Sequence, residues 1–188
     1  MDPRGEPVVG REQAELRFER LYAQHGRAVL AFAVRRVADP QDAADVLAET
    51  FLVVWRRLEA VPAGEEARPW LYGVARRVLA NQQRSELRRQ RAADRLRREL
   101  PEALAQASAA DDEDGAMVAA LRRLGPEDQE VLRLAAWEEL APAQIATVLG
   151  LTQVAARSRL HRARRRLRAS LGSTPPARME AMPIPEVR

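Results

Sequence analysis

Seven arginines and no acidic residue lie in one stretch near the end of the chain, Thr152 to Leu171. The guanidinium fork matches phosphate oxygens and the edge of guanine, so this run could bind nucleic acid. Small and apolar residues recur in it at three- and four-residue steps, which predicts a helix with one buried face: Ala156, Leu160, Ala163, Leu167 and Leu171. A merely solvated surface helix would carry the same charge. The choice between a nucleic-acid-binding helix and a solvated one therefore depends on the residues before the run.

The segment before the arginine run has the form of a helix-turn-helix motif. PAQIATVLG predicts a short helix with Ile145 and Leu149 facing inward. Gly150 permits the positive φ of a tight turn, and Thr152 can cap the following helix. The first two turns of that second helix would enter the major groove of DNA. The residues that it would present there are Gln153, Val154, Arg157, Ser158, His161 and Arg162.

A second pattern is an acidic stripe near the end of the first quarter of the chain. Asp42, Asp45 and Glu49 are spaced to lie on one helical face, roughly opposite the apolar residues Leu47 and Phe51. Such a stripe is usually a solvated face. The carboxylates do not indicate catalysis or a metal site, because the two histidines of the chain, His25 and His161, fall in different predicted domains.

A third pattern places an aromatic residue at the head of a basic track. A Trp beside arginines is more often a residue at the edge of a core, but beside a DNA-binding domain it also suits stacking on single-stranded bases. The loop before it, EAVPAGEEAR, could present backbone groups to an extruded base. The residues of this candidate surface are Trp70, Arg76, Arg77, Asn81, Arg84 and Arg88.

Composition limits the class of protein. The chain has 188 residues, a formal net charge of +4 and no cysteine, so disulfides and thiolate chemistry are excluded. No nucleophile–base pair, phosphate-binding loop or metal-ligand set is present, which predicts a protein that is not an enzyme and has no cofactor and no metal. Without a signal peptide or a long apolar run, we expect a cytoplasmic protein that does not insert into a membrane.

The elements that position these residues are predicted to be helices, giving an all-α fold of two small domains. Alanine, leucine, arginine and glutamate dominate the periodic segments, and prolines fall between them. Residues 13–98 should form a three-helix bundle, and residues 117–172 a helix-turn-helix domain. Residues 99–116 read as an acidic linker, and residues 1–12 and 173–188 as disordered tails.

Three blocks of sequence, in this order, resemble the extracytoplasmic-function sigma factors, the minimal two-domain class of the sigma-70 family. They are DPQDAADVLAETFLVVW, RPWLYGVARRVLAN and LAPAQIATVLGLTQVAARSRLHRARRRLR. The chain departs from the family pattern at Ala48, where glutamine is usual, and at Ala155 and Ala156, where Thr-Val is common. The first change removes one possible polymerase contact, and the second a hydroxyl that could reach phosphate.

The resemblance implies a role for each surface. Asp42, Asp45 and Glu49 would dock on the clamp helices of core RNA polymerase. The surface from Trp70 to Arg88 would melt and recognise the −10 element of promoter DNA, and the helix from Gln153 would bind the −35 element while its domain contacts the polymerase flap. An anti-sigma factor is a further partner that the resemblance implies.

Two other functions remain open at this point. A self-sufficient helix-turn-helix regulator would use the first domain for dimerisation or sensing. An RNA-binding or anti-termination module would bind without promoter preference. The acidic stripe favours the sigma factor, because a repressor or activator has no need of a polymerase-docking face.

Overall fold

The computed structural model describes residues 8–99 and 116–172, and every regular element within those ranges is a helix. The all-α fold class is therefore confirmed. The first domain contains α1 (Val8–Val34), α2 (Pro40–Arg56) and α3 (Ala67–Glu99), with short 3-10 turns over Leu58–Ala60 and Gly64–Glu66. The second contains α4 (Ala116–Arg122), α5 (Pro126–Ala136), α6 (Pro142–Leu149) and α7 (Gln153–Gly172).

The first domain buries one face of each of its three helices. Asp39 caps α2 by accepting a hydrogen bond from the Gln41 backbone N–H at 2.8 Å, and Pro40 occupies the first helical turn, where its missing N–H costs nothing. The centre of the core is formed by Phe32 from α1, Val46 and Val54 from α2 and Leu71 from α3. This packing fixes which side of α2 and α3 is left for solvent.

The second domain packs α7 against α5 and α6 around a small apolar core. Ala156, Leu160 and Ala163 are buried, and Leu167 and Leu171 are half-buried, as the three- and four-residue spacing predicts. Alanine at two of these positions lets α7 lie close to its neighbours, Val131 of α5 and Ile145 of α6 among them. The opposite face of α7 is left to solvent.

The turn of the helix-turn-helix motif has the predicted geometry. Gly150 ends α6 in the left-handed region, with φ 66° and ψ 37°. Thr152 accepts a hydrogen bond from the Ala155 backbone N–H at 3.2 Å and so caps α7, and Leu151 is half-buried between the two helices. These contacts set the angle at which α7 leaves the domain.

Several helix ends differ from the sequence expectation. Helix α1 begins at Val8, so residues 8–12, predicted as part of a disordered tail, are helical. The sequence pattern alone would extend α2 to about Ala60 and α5 to Leu140, but α2 ends at Arg56 and α5 at Ala136. The predicted tails 1–7 and 173–188 and the linker residues 100–115 lie outside the described residues.

The two domains are in direct contact through α3 and α6. Gly73 of α3 is buried, and the atoms nearest to a Cβ built there belong to α6: the Val148 carbonyl oxygen at 3.6 Å and the Thr147 carbonyl oxygen at 3.7 Å. These are ordinary van der Waals distances, so a methyl group would fit at this position, but the contact leaves little room for a larger side chain.

Candidate functional site

The acidic stripe lies on the solvent side of α2. Asp42, Asp45 and Glu49 are exposed, whereas Val46 and Phe51 on the other side are buried. We call the three carboxylates the acidic face. Because none of them contributes to the core, their charge is free to act on a partner.

Two large apolar side chains stand beside the acidic face, and neither was predicted as a site residue from the sequence. Leu52 is 49% exposed and Trp55 is 42% exposed. They line an open hollow of about 610 Å³ together with Phe18, whose ring centroid lies 5.3 Å from that of Trp55. Exposed apolar surface next to charge is typical of a protein-binding surface. In the sequence, the exposure of Leu52 and Trp55 is indicated by their positions, because both fall outside the buried stripe of α2.

The predicted basic track lies along the outer side of α3. Arg76, Arg77, Asn81, Arg84 and Arg88 are exposed, and Trp70 at its head is half-buried. Arg84 donates a hydrogen bond to the Asn81 side-chain oxygen, so two members of the track hold each other in place. The structure thus places Trp70, Arg77, Asn81, Arg84 and Arg88 on one stripe of α3, whereas Arg76 lies about 100° round the helix from Arg77.

A groove between α2 and α3 connects the acidic face to the basic track. It has a volume of about 840 Å³, and its walls include Asp45 and Glu49 from α2 and Trp70, Arg77 and Arg88 from α3. In the sequence these residues were predicted to form two separate surfaces. In the folded chain, a partner bound to the acidic face would lie beside a nucleic-acid strand bound to the basic track.

The predicted DNA-contacting residues of α7 form one exposed surface. Gln153, Val154, Arg157, Ser158, His161 and Arg162 are all exposed. Val154 is 67% exposed, an unusual position for a valine that makes it available for apolar contact with a thymine methyl group. No contact with the first domain is needed to orient this surface.

The arginine run of α7 has two parts with different surroundings. Arg159 lies 3.1 Å from the Glu127 carboxylate, and Arg166 pairs with Asp128, both acids standing in the first turn of α5. These two arginines tie α7 to α5. Arg157 and Arg162 are exposed.

Residues 8–99 and 116–172 hold no group of three or more histidine, cysteine or acidic side chains that could bind a metal ion. None of the helices in these ranges is long and apolar enough to cross a membrane.

Comparison with known proteins gives matches along most of the chain. Residues 21–93 match the model of sigma-70 region 2, and residues 114–167 match that of sigma-70 region 4. The ECF RNA polymerase sigma factor SigL of Mycobacterium tuberculosis is 33% identical over 169 residues, covering 87% of this chain and 94% of that protein. The RNA polymerase sigma factor CarQ of Myxococcus xanthus is 34% identical over 166 residues, covering 86% and 93%.

Solved structures show the same fold. The sigma factor RpoE of Bartonella quintana, in complex with the anti-sigma factor NepR, superposes with a TM-score of 0.61 at 22% identity and covers 83% of this chain and 97% of that one. CnrH, in complex with the cytosolic domain of CnrY, gives a TM-score of 0.55 at 24% identity, covering 83% and 88%. The two-domain helical architecture is shared with both.

Proposed function

The chain belongs to the extracytoplasmic-function sigma factors of RNA polymerase, and we propose that its acidic face docks on the clamp helices of core polymerase. As a sigma factor it directs promoter recognition and transcription initiation, and the family consists of initiation factors rather than enzymes. The observation that carries the docking proposal is the exposure of Asp42, Asp45 and Glu49 opposite the buried side of α2, beside Leu52 and Trp55.

The composition of this docking surface suits a helical partner with basic and apolar side chains. The carboxylates supply electrostatic complementarity, which mainly controls specificity and association rate. Leu52 and Trp55 supply apolar area, and tryptophan is among the residues that most often dominate the affinity of an interface. A self-sufficient regulator would leave this surface without a role.

A charge-reversal experiment tests the docking proposal. We expect Asp45→Arg with Glu49→Arg to abolish binding to core polymerase and run-off transcription while the helical content and thermal unfolding stay unchanged, because both side chains are exposed. The matched control is Glu12→Arg with Glu59→Arg, which changes the net charge equally at exposed positions off the acidic face. Equal losses in both double variants would show that net charge, not this face, governs binding.

The promoter contacts are divided between the domains in this proposal. The basic track and Trp70 would hold the melted −10 strand, since arginines can follow its backbone and an aromatic ring can stack on a base. The exposed surface of α7 would enter the major groove at the −35 element. The exposure of every arginine of the basic track supports the first assignment, and the exposed start of α7 supports the second.

We further propose the cytoplasm as the place of action, since the polymerase is there, and an anti-sigma factor as a regulatory partner. The sigma factor RpoE was solved in complex with the anti-sigma factor NepR and CnrH in complex with the cytosolic domain of CnrY, and this chain shares the fold of both. The polymerase flap would be a second contact of the second domain.

A further inference from the structure

A cluster of charged side chains joins the two domains at one edge of the α3–α6 contact. Helix α5 ends at Ala136, and the backbone then turns so that the Glu138 side chain points toward the first domain and is only 1% exposed. Its two carboxylate oxygens accept hydrogen bonds from Arg35 at 2.6 Å and from Arg36 at 3.0 Å. Arg68 donates to the backbone carbonyl of the same residue.

The arginines of the cluster are held in position by the first domain itself. The Arg36 guanidinium carbon lies 3.6 Å from the centroid of the Phe32 ring, and Arg36 also donates to the Phe32 carbonyl at 2.9 Å. Phe32 stacks on Tyr72 at 4.8 Å, and Arg68 stands beside the Tyr72 ring. Burial next to Glu138 raises the pKa of Tyr72. The first domain therefore presents a basic pocket to Glu138, formed by Arg35, Arg36 and Arg68.

Ion pairing across the domain boundary is deeply buried. The Arg36 side chain is 6% exposed and lies 3.3 Å from Glu130 of α5 as well as close to Glu138. Removing one partner from such a buried set leaves the other charge without compensation, which costs far more than breaking a surface pair. Arg35 and Arg36, which donate to the Glu138 carboxylate, belong to the first domain, so these bonds exist only while the domains touch.

The closed arrangement leaves both proposed DNA surfaces accessible but too close together. A globule of about 150 residues has a radius of gyration of about 15 Å, hence a diameter of about 40 Å. The −10 and −35 elements are centred about 25 base pairs apart, which is about 85 Å of duplex at about 3.4 Å per base pair. One closed molecule can occupy either element but cannot span both.

We propose that Glu138, seated between Arg35 and Arg36, is a latch that keeps the free protein closed and unable to span a promoter, and that core polymerase binding is coupled to its release. This rests on the promoter assignments proposed above. The apparent affinity of a partner that needs the open state is reduced by the fraction of molecules that are open. Breaking the latch should therefore tighten polymerase binding without any new contact.

Two variants of different chemistry open the latch. Glu138→Gln removes the charge and keeps the shape. Gly73→Leu leaves the charges and places a side chain against the α6 carbonyls 3.6–3.7 Å from the Cβ position. Glu139→Gln is the matched control, since it removes a neighbouring charge whose side chain is exposed.

Energy transfer between two dyes measures the opening in the free protein. The chain has no cysteine, so Ala23→Cys and Arg168→Cys, at exposed positions in the two domains, give defined labelling sites. We expect Glu138→Gln to shift the closed-to-open ratio by about tenfold or more, because charged hydrogen bonds are lost. Gly73→Leu should shift it in the same direction, and Glu139→Gln should match the unmutated chain.

Binding measurements then separate the latch from the docking proposal. Apparent Kd for core polymerase should fall in both opening variants by the same factor as the open fraction rises, while affinity for a duplex carrying only the −35 element stays constant. Unchanged energy transfer in both variants would overturn the latch, and so would loss of −35 binding in both. Opening without tighter polymerase binding would overturn the coupling. The energy-transfer measurement is made without polymerase. Its result on the latch therefore holds whether or not the acidic face proves to be the docking site.

Discussion

His25 is a buried histidine whose neutral form the fold favours. Its Nε2 atom has no hydrogen-bond partner among the described residues, and burial lowers the pKa of His25 below its usual 6.5, with the positive charge of Arg68 lowering it further. A proton on this ring would place an uncompensated charge inside the first domain.

Stability should therefore depend on pH in a defined direction. Below about pH 6.5 the unfolded chain binds a proton at His25 more readily than the folded chain, so the free energy of unfolding should fall as the pH drops toward the lowered pKa. Denaturant titrations between pH 7.5 and 5.5 measure this, and His25→Gln should flatten the profile. An equally steep profile in His25→Gln would assign the effect to other groups.

Two arginines of α7 should give opposite phenotypes. Arg157→Ala should weaken −35 binding by about 1–3 kcal/mol and relax the sequence preference, with unfolding unchanged. Arg166→Ala should lower the free energy of unfolding by up to about 1 kcal/mol, because its pair with Asp128 is partly solvent-screened. Affinities for a panel of −35 duplexes and thermal melts separate the two. A uniform loss over all duplexes in Arg157→Ala would mark that residue as a phosphate contact.

At the scale of the elements, the turn between α6 and α7 determines where the DNA-binding helix points. Gly150 has a positive φ, and no atom lies within 4 Å of a Cβ built there, so a side chain would meet conformational strain but no clash. Gly150→Ala should lower the free energy of unfolding by about 1 kcal/mol. Gly150→Asn should lose less, since asparagine tolerates this conformation. Equal losses in denaturant titrations would contradict this explanation.

Helix identity could be predicted from the sequence, because the buried stripe of a helix is a local pattern. Ala156, Leu160 and Ala163 are buried as their spacing predicts, and the glycine at position 150 predicts the turn that the structure has there. The end of α5 could not be predicted. Glu139 adopts φ 53°, a conformation usually left to glycine, and the Leu140 N–H bonds to the Leu134 carbonyl, so the helix stops where no proline or glycine marks it.

For the whole molecule, two domains were predictable but their contact was not. Arg35 and Glu138 are about a hundred residues apart in sequence, and each reads locally as an ordinary surface charge. Leu52 and Trp55 were overlooked for a similar reason, since an exposed apolar residue is common on any surface. Only the folded arrangement shows that Glu138 is buried against Arg35 and that Leu52 and Trp55 stand beside the acidic face.

The three tryptophans of the chain stand at three different places in this scheme. Trp55 is half-exposed beside the acidic face, Trp70 lines the groove, and Trp137 adjoins Glu138 with the Arg133 guanidinium 5.7 Å from its ring. In spectroscopic terms, the proposed polymerase docking, strand capture and domain separation would each change the surroundings of one indole. With two of the three replaced by phenylalanine, the remaining emission would follow one of these events without any dye.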